Sequence, residues 1–268
     1  MILESITEHG TAYALTGAFA GFMSGTLGIG GGMIVVPALL YIFHHSSVVP
    51  QAVEMHVAAG TSLAIMIFTA MASVRAHHRQ GELLWDVYHR LWPGIILGVF
   101  FGALLADQLS TYWLKILFGL FLLAISFKML ADIHVTHPRS FPGKWLNGLV
   151  SFLIGLKSGL LGIGGGALII PYLSFCGIDT RKIPAISALC TLSVAMMGTI
   201  AVIITGSNEV GLPAYSTGYV YWPAVIWVAI PSVLFAPIGA HLTYALPVQQ
   251  LKYGLTAILI IAAIDMLI

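Results

Sequence analysis

The sequence predicts an all-α integral membrane protein. It consists of two homologous four-segment repeats, inverted relative to each other, each opening with a glycine-broken first helix that is re-entrant or discontinuous. Composition, the spacing of apolar runs and an internal duplication carry this prediction. Of 268 residues, 59% are hydrophobic and 8% are charged, against about 25% charged in an ordinary soluble domain. Eleven Lys/Arg and ten Asp/Glu cannot cover a water-exposed surface of this size, whereas a lipid-facing one needs charge only at its ends and in its sites. The net charge of +1 leaves no electrostatic footprint for nucleic acid. The extended partner it predicts is the lipid bilayer.

Apolar runs near the ~20 residues that span a bilayer occur at 11–43, 53–74, 87–105, 112–129, 145–176, 183–205, 222–244 and 248–268. Before the first run stand Glu4, Glu8 and His9 but no Lys or Arg, so the basic start of a cleavable signal peptide is missing and this run is expected to stay. The first and fifth runs are too long for one crossing and are near copies. Ser24-Gly25-Thr26-Leu27-Gly28-Ile29-Gly30-Gly31-Gly32 matches Ser158-Gly159-Leu160-Leu161-Gly162-Ile163-Gly164-Gly165-Gly166, and Pro37 matches Pro171 at the same offset. Downstream, Gly81, Trp85, Gly102-Ala103 and Leu114-Lys115 match Gly218, Trp222, Gly239-Ala240 and Leu251-Lys252. A duplicated unit follows, with repeat 1 at 1–130 and repeat 2 at 145–268. The polar stretch 131–144, with His134, His137, Pro138, Arg139 and Pro142, is the linker.

Positive charges orient the segments. If all eight cross, Lys and Arg divide between the two sides with little bias. If each broken run enters and leaves on one side, Lys115 stands alone opposite Arg75, Arg79, Arg90, Lys128, Arg139, Lys144, Arg181, Lys182 and Lys252. The positive-inside rule then makes the crowded side cytoplasmic and both termini extracytoplasmic. Interrupted backbone at membrane depth is tolerated where it is buried in protein or lines a polar cavity, which agrees with re-entrant, inverted repeats.

The glycine clusters are the main candidate site. Gly28, Gly30, Gly31 and Gly32, with Gly162, Gly164, Gly165 and Gly166, are expected to turn with positive φ and bare their N–H groups just before a helix start. Two half-helices aimed at one midplane point from opposite sides would present converging positive ends to a small oxyanion. Ser24 and Gly25, and Ser158 and Gly159, flank the clusters. Gly17, Gly21 and Gly25 at four-residue spacing also suit close helix packing. Lys157 is the Lys or Arg placed well inside a segment, where the first copy has Met23. It is the expected counter-charge to an anion, with snorkelling to an interface as the alternative. Thr61, Ser62 and Thr191 could donate hydroxyl hydrogen bonds to the anion, or merely join helices, as could Ser193. Glu54 and His56, at the mouth of the second segment, are candidates for a gate or proton site.

Other chemistries find less support. His44-His45, His77-His78 and His89 lack the i, i+4 spacing that aligns two ligands on a helix, so no metal and no cofactor are expected. Cys176 and Cys190 lie inside apolar runs and suit small core hydrophobes. Gly21…Ser24-Gly25 and its second copy superficially suggest an intramembrane serine hydrolase, but no base is placed to activate the serine. An enzyme is not expected.

The doubled glycine cluster followed by Pro37 and Pro171, the Ala59-Gly60-Thr61-Ser62-Leu63 run and the two-copy layout resemble the sulfite exporter TauE/SafE family over essentially the whole chain. Ala188-Leu189-Cys190-Thr191 departs from the Gly-Thr-Ser pattern of the first copy. The resemblance implies a multi-pass transporter of the bacterial inner membrane for sulfite or organosulfonates, with export and uptake both proposed among members. Moving one negative charge out of a negative-inside cell is favoured by about 2.3 kcal/mol per 100 mV. Because no obvious carboxylate lies in the apolar interior for a coupling ion, export by alternating access is the first expectation. Proton-coupled uptake of sulfonates or small carboxylates is the alternative. A homo-oligomer remains open.

Overall fold

The computed structural model describes residues 2–27, 30–79, 84–131, 141–179, 182–242 and 248–267. Among them are ten α-helices: α1 (Ile2–Leu27), α2 (Gly32–Ser46), α3 (Glu54–Arg79), α4 (Trp85–Gln108), α5 (Thr111–Leu130), α6 (Lys144–Leu161), α7 (Gly166–Phe175), α8 (Ile183–Thr205), α9 (Trp222–Leu242) and α10 (Val248–Leu267). A two-residue antiparallel hairpin, β1 (Ser216–Thr217) with β2 (Val220–Tyr221), pairs Ser216 with Tyr221 and Thr217 with Val220. The eight apolar runs become ten helices because the first and fifth each split at their glycines, as the sequence anticipates.

Among the described residues, five helices are long and apolar enough to cross a bilayer: Glu54–Ala76, Trp85–Gln108, Thr111–Leu130, Ile183–Asn208 and Trp222–Gly239. The protein is therefore an all-helical, multi-pass membrane protein. The half-helices Gly32–Ser46 and Gly166–Phe175 are apolar but too short to cross alone. Trp85 and Trp145 are exposed where α4 and α6 begin, and Tyr112, Trp113, Tyr215 and Trp222 are exposed around the starts of α5 and α9. Aromatic rings gather in this way at the two lipid–water interfaces.

Small residues set the packing. A Cβ on Gly98 would overlap the carbonyl oxygen of Phe152, and one on Gly102 that of Leu156; reciprocally, Gly155 and Gly159 lie against the carbonyls of Ile95 and Val99. Position rises along both helices together, so α4 and α6 run parallel at backbone contact. Gly17 and Gly21 lie in the same way against Val228 and Ser232, and Gly239 against Phe22, making α1 and α9 a second close parallel pair. Gly17 and Gly21 of the four-residue stripe do pack helices. α3 and α8 meet antiparallel, with Leu63 against Gly198 and Tyr219 seated on both Gly60 and Gly206. α5 packs on α10.

Each break has its own geometry. α6 stops at Gly162, whose φ of 70° is left-handed, and the N–H groups of Gly162 and Ile163 both donate to the Ser158 carbonyl. α7 starts from Gly165, also left-handed at φ 71°. In the first copy Gly30 takes the positive φ, 76°, whereas Gly31 is an ordinary right-handed residue at φ −59° from which α2 starts. The expectation of positive φ throughout the clusters thus narrows to Gly30, Gly162 and Gly165 among the described residues. Gly28 lies outside them.

Candidate functional site

The two breaks meet. Gly30 faces the Cα of Gly164 and the side chain of Thr191, with 3.6 Å between the nearest of these atoms and the place a Cβ would occupy. Gly32 lies closer still against the Gly162 carbonyl and Ile163, at 3.0 Å, and a Cβ on either Gly32 or Gly164 would press on Met66 Sδ. Two glycine-broken backbones and the middles of α3 and α8 therefore share one small volume. In the first turn of each half-helix, the N–H groups of Ile34 and Val35 donate to the Gly31 carbonyl and those of Leu168 and Ile169 to the Gly165 carbonyl, which leaves the first two N–H groups without an intrahelical acceptor. In α2 and α7 those turns begin at Gly32 and Gly166, where no side chain bars a small anion from the backbone.

α3 brings one further group to this volume. Ala59 touches Gly162, Met66 touches Gly32 and Gly164, and Ser62 lies between them at helical spacing on the same face. Ser62 is 0% exposed, and its hydroxyl has no hydrogen-bond partner among the described residues. Thr191 occupies the corresponding place on α8 and donates to the Gly164 carbonyl, holding the second break in shape. Thr61 is turned elsewhere. Its hydroxyl oxygen accepts the Tyr221 N–H at 3.0 Å, fixing the hairpin to α3. Ser193 bonds Tyr88 across to α4 at 2.7 Å and so joins helices. A cavity of about 10 Å³, lined by Ser24, Gly30, Gly31, Met33, Ile34 and Leu255 among others, opens beside the first break. It holds roughly one water.

Four of the residues expected at the site stand as follows. Lys157 is exposed and continues the outward stripe of Trp145, Leu149 and Leu153, each four residues apart on α6, while its neighbour Ser158 is buried. It stands on the exposed face of α6, the placement that snorkelling to an interface needs. Gly159 packs directly against the Val99 backbone. Ser158 donates to the Ile154 carbonyl at 2.8 Å. Gly25 is half-buried on α1, four residues beyond Gly21.

Near the start of α3 lies a second polar cluster. Glu54, 1% exposed, sits between Lys115 Nζ and His44 Nδ1, each at 3.4 Å. His56 turns another way: its Nε2 donates to the carbonyls of Ala106 at 3.1 Å and Leu109 at 3.0 Å, and its ring lies 5.1 Å from that of Tyr219. The Tyr219 hydroxyl donates to Asp107 Oδ1 at 2.9 Å. Burial first, and then this bonded carboxylate, push that hydroxyl above the ordinary tyrosine pKa, so it stays a donor at any physiological pH. His56, Asp107, Tyr219, Thr205, Ala59 and Gly159 contribute to the lining of a second cavity of about 10 Å³. Sequence reading missed Asp107 because it stands near a segment end, where a carboxylate reads as solvated. No local signal joins it to Tyr219 so far along the chain.

Broken helices meeting between membrane-crossing ones define a class of multi-pass membrane transport proteins. The profile of the family described as "Sulfite exporter TauE/SafE" matches residues 13–266, and the chain belongs to that family. A "Probable membrane transporter protein" of Haemophilus influenzae is 34% identical over 94% of this chain and 96% of its own length. "Probable membrane transporter protein MJ0441" of Methanocaldococcus jannaschii is 28% identical over 95% and 94%. "Probable membrane transporter protein YdhB" of Bacillus subtilis is 25% identical over 87% and 89%. No solved structure matches the chain. Family membership makes the protein a membrane transporter and implies that it is not an enzyme.

Proposed function

We propose that the protein exports small sulfur oxyanions, sulfite or organosulfonates, binding them where the two helix breaks meet. The observation that carries this reading is the buried, unpartnered Ser62 hydroxyl facing two converging helix starts. An unsatisfied buried hydroxyl costs about 1–3 kcal/mol, and an oxyanion that accepts its hydrogen bond recovers that cost. The helix starts add partial positive charge from both sides. Ser62, Gly30, Gly31, Gly32, Gly162, Gly164, Gly165 and Gly166 form this site, with Ser24 at its entrance and Thr191 holding its second wall. The family's description supplies sulfite as the substrate to test first.

Reciprocal packing supports an inverted repeat with boundaries 1–130 and 145–268: α4 on α6 mirrors α1 on α9, while α3–α8 and α5–α10 pair like with like. Parallel pairing starts α6 at the end of the bundle where α4 starts, and α1 where α9 starts. On this reading each broken pair enters and leaves on one side, with the nine clustered cations inside and both termini outside. The cavity beside the first break is smaller than sulfite, so admission requires one repeat to rock against the other. Export of the anion without a counter-ion then runs down the membrane potential. Sulfite efflux from proteoliposomes tests the reading: Ser62→Ala should lose tenfold or more in kcat/KM while inserting normally. Unchanged efflux would overturn the site.

A further inference from the structure

The hydrogen bonds around His56 are arranged for a ring that carries two protons. Nε2 faces the carbonyls of Ala106 and Leu109, both acceptors, so it must hold a hydrogen. Nδ1 faces Thr111 Oγ1 at 3.5 Å, but Thr111 already gives its proton to the Ala52 carbonyl in a much shorter bond. In the neutral tautomer Nδ1 is a lone pair aimed at the lone pairs of Thr111. Once protonated, it becomes a donor facing an acceptor. The charged and titratable groups around the ring are Asp107 on α4, Glu209 in the loop after α8 and Tyr219 in the hairpin; Glu54, on α3 itself, is engaged by Lys115 and His44. Asp107 and Glu209 are the acidic groups among them.

We propose that His56 is a proton-binding site, counter-charged by Asp107, whose occupancy is thermodynamically linked to that of the anion site. The inference rests on the anion-site reading given above. Ser62 lies six residues along α3 from His56, about 9 Å of helix rise, and Ala59 between them touches Gly162 and also lines the His56 cavity. A positive charge there attracts an anion at the breaks through a poorly screened interior. Linkage is reciprocal, so a bound anion must favour the proton equally. A monoanion bound with its proton leaves the loaded site neutral and weakens the membrane potential's grip on the direction of transport.

The test is isothermal titration of the full chain in nanodiscs with methanesulfonate, whose own charge is constant from about pH 5 to 8, the range in which histidine titrates. The wild-type protein should bind more tightly as pH falls, by at most tenfold per unit for one linked proton. It should take up a proton with the anion, read from heats in two buffers of different protonation enthalpy. His56→Gln should bind with one affinity across the range and show no uptake. Asp107→Asn should move the wild-type slope to lower pH. Binding without proton uptake, or a wild-type slope kept by His56→Gln, overturns this inference and leaves the anion site standing. Failure of both methanesulfonate and sulfite to bind at every pH overturns both.

Discussion

Thr61 and Ser62 are neighbours with opposite obligations. The Thr61 hydroxyl satisfies the buried Tyr221 N–H, so Thr61→Val should leave that donor unpaired and cost about 1–3 kcal/mol; thermal unfolding in detergent reads this directly. Ser62 satisfies no described group. Ser62→Ala should therefore leave the empty protein's stability unchanged or raise it by about 1 kcal/mol, while stabilisation by sulfite falls. Equal destabilisation of the two variants would make Ser62 an ordinary helix-joining residue. Lys157 gives the complementary case. Because it continues an exposed stripe, Lys157→Met should change sulfite affinity less than twofold, read by the same thermal shift. A sharp loss would restore it as the counter-charge and require α6 to rotate in the bound state.

Among the helices, the glycines of α4 and α6 divide into those that touch backbone and those that touch nothing. A Cβ at Gly98 overlaps the Phe152 carbonyl, whereas none of the protein's heavy atoms lies within 4 Å of one at Gly148. Gly98→Ala should therefore force the pair apart and cost several kcal/mol. Gly148→Ala should gain about 0.5–1 kcal/mol from helix propensity. Thermal unfolding of the two single variants separates these effects. Much of this level was legible in the sequence: hydropathy gave every long segment, and doubled glycine clusters gave both breaks, because membrane helices advertise themselves by composition alone. Facing was legible too but went unread, since Trp145, Leu149, Leu153 and Lys157 share one helical stripe while Ser151, Gly155, Ser158 and Gly159 share another. The pairing of Asp107 with Tyr219, and the fixing of Tyr221 by Thr61, were not legible. Both join residues more than a hundred positions apart through an irregular hairpin that carries no periodicity.

The whole molecule turns on which way the two broken pairs point. Charge and packing are independent here: the first counts Lys and Arg in loops, and the second follows which glycine meets which carbonyl. In the inverted arrangement proposed above, the α2–α3 turn and the loop after α8 lie on one side, and the start of α6 on the other. Single cysteines can be introduced without disturbance at Ser47 and Val210, both exposed, and at Gly143, where a side chain meets nothing. Background labelling is low because Cys176 and Cys190 are buried. In intact cells an impermeant maleimide should label Ser47→Cys and Val210→Cys, and Gly143→Cys only after the membrane is opened. If Ser47→Cys and Val210→Cys label from opposite sides, the repeats cannot be inverted. The two helix starts would then no longer approach the anion from opposite faces of the membrane, and rocking of one repeat against the other would lose the symmetry that lets a single site open in turn to each side.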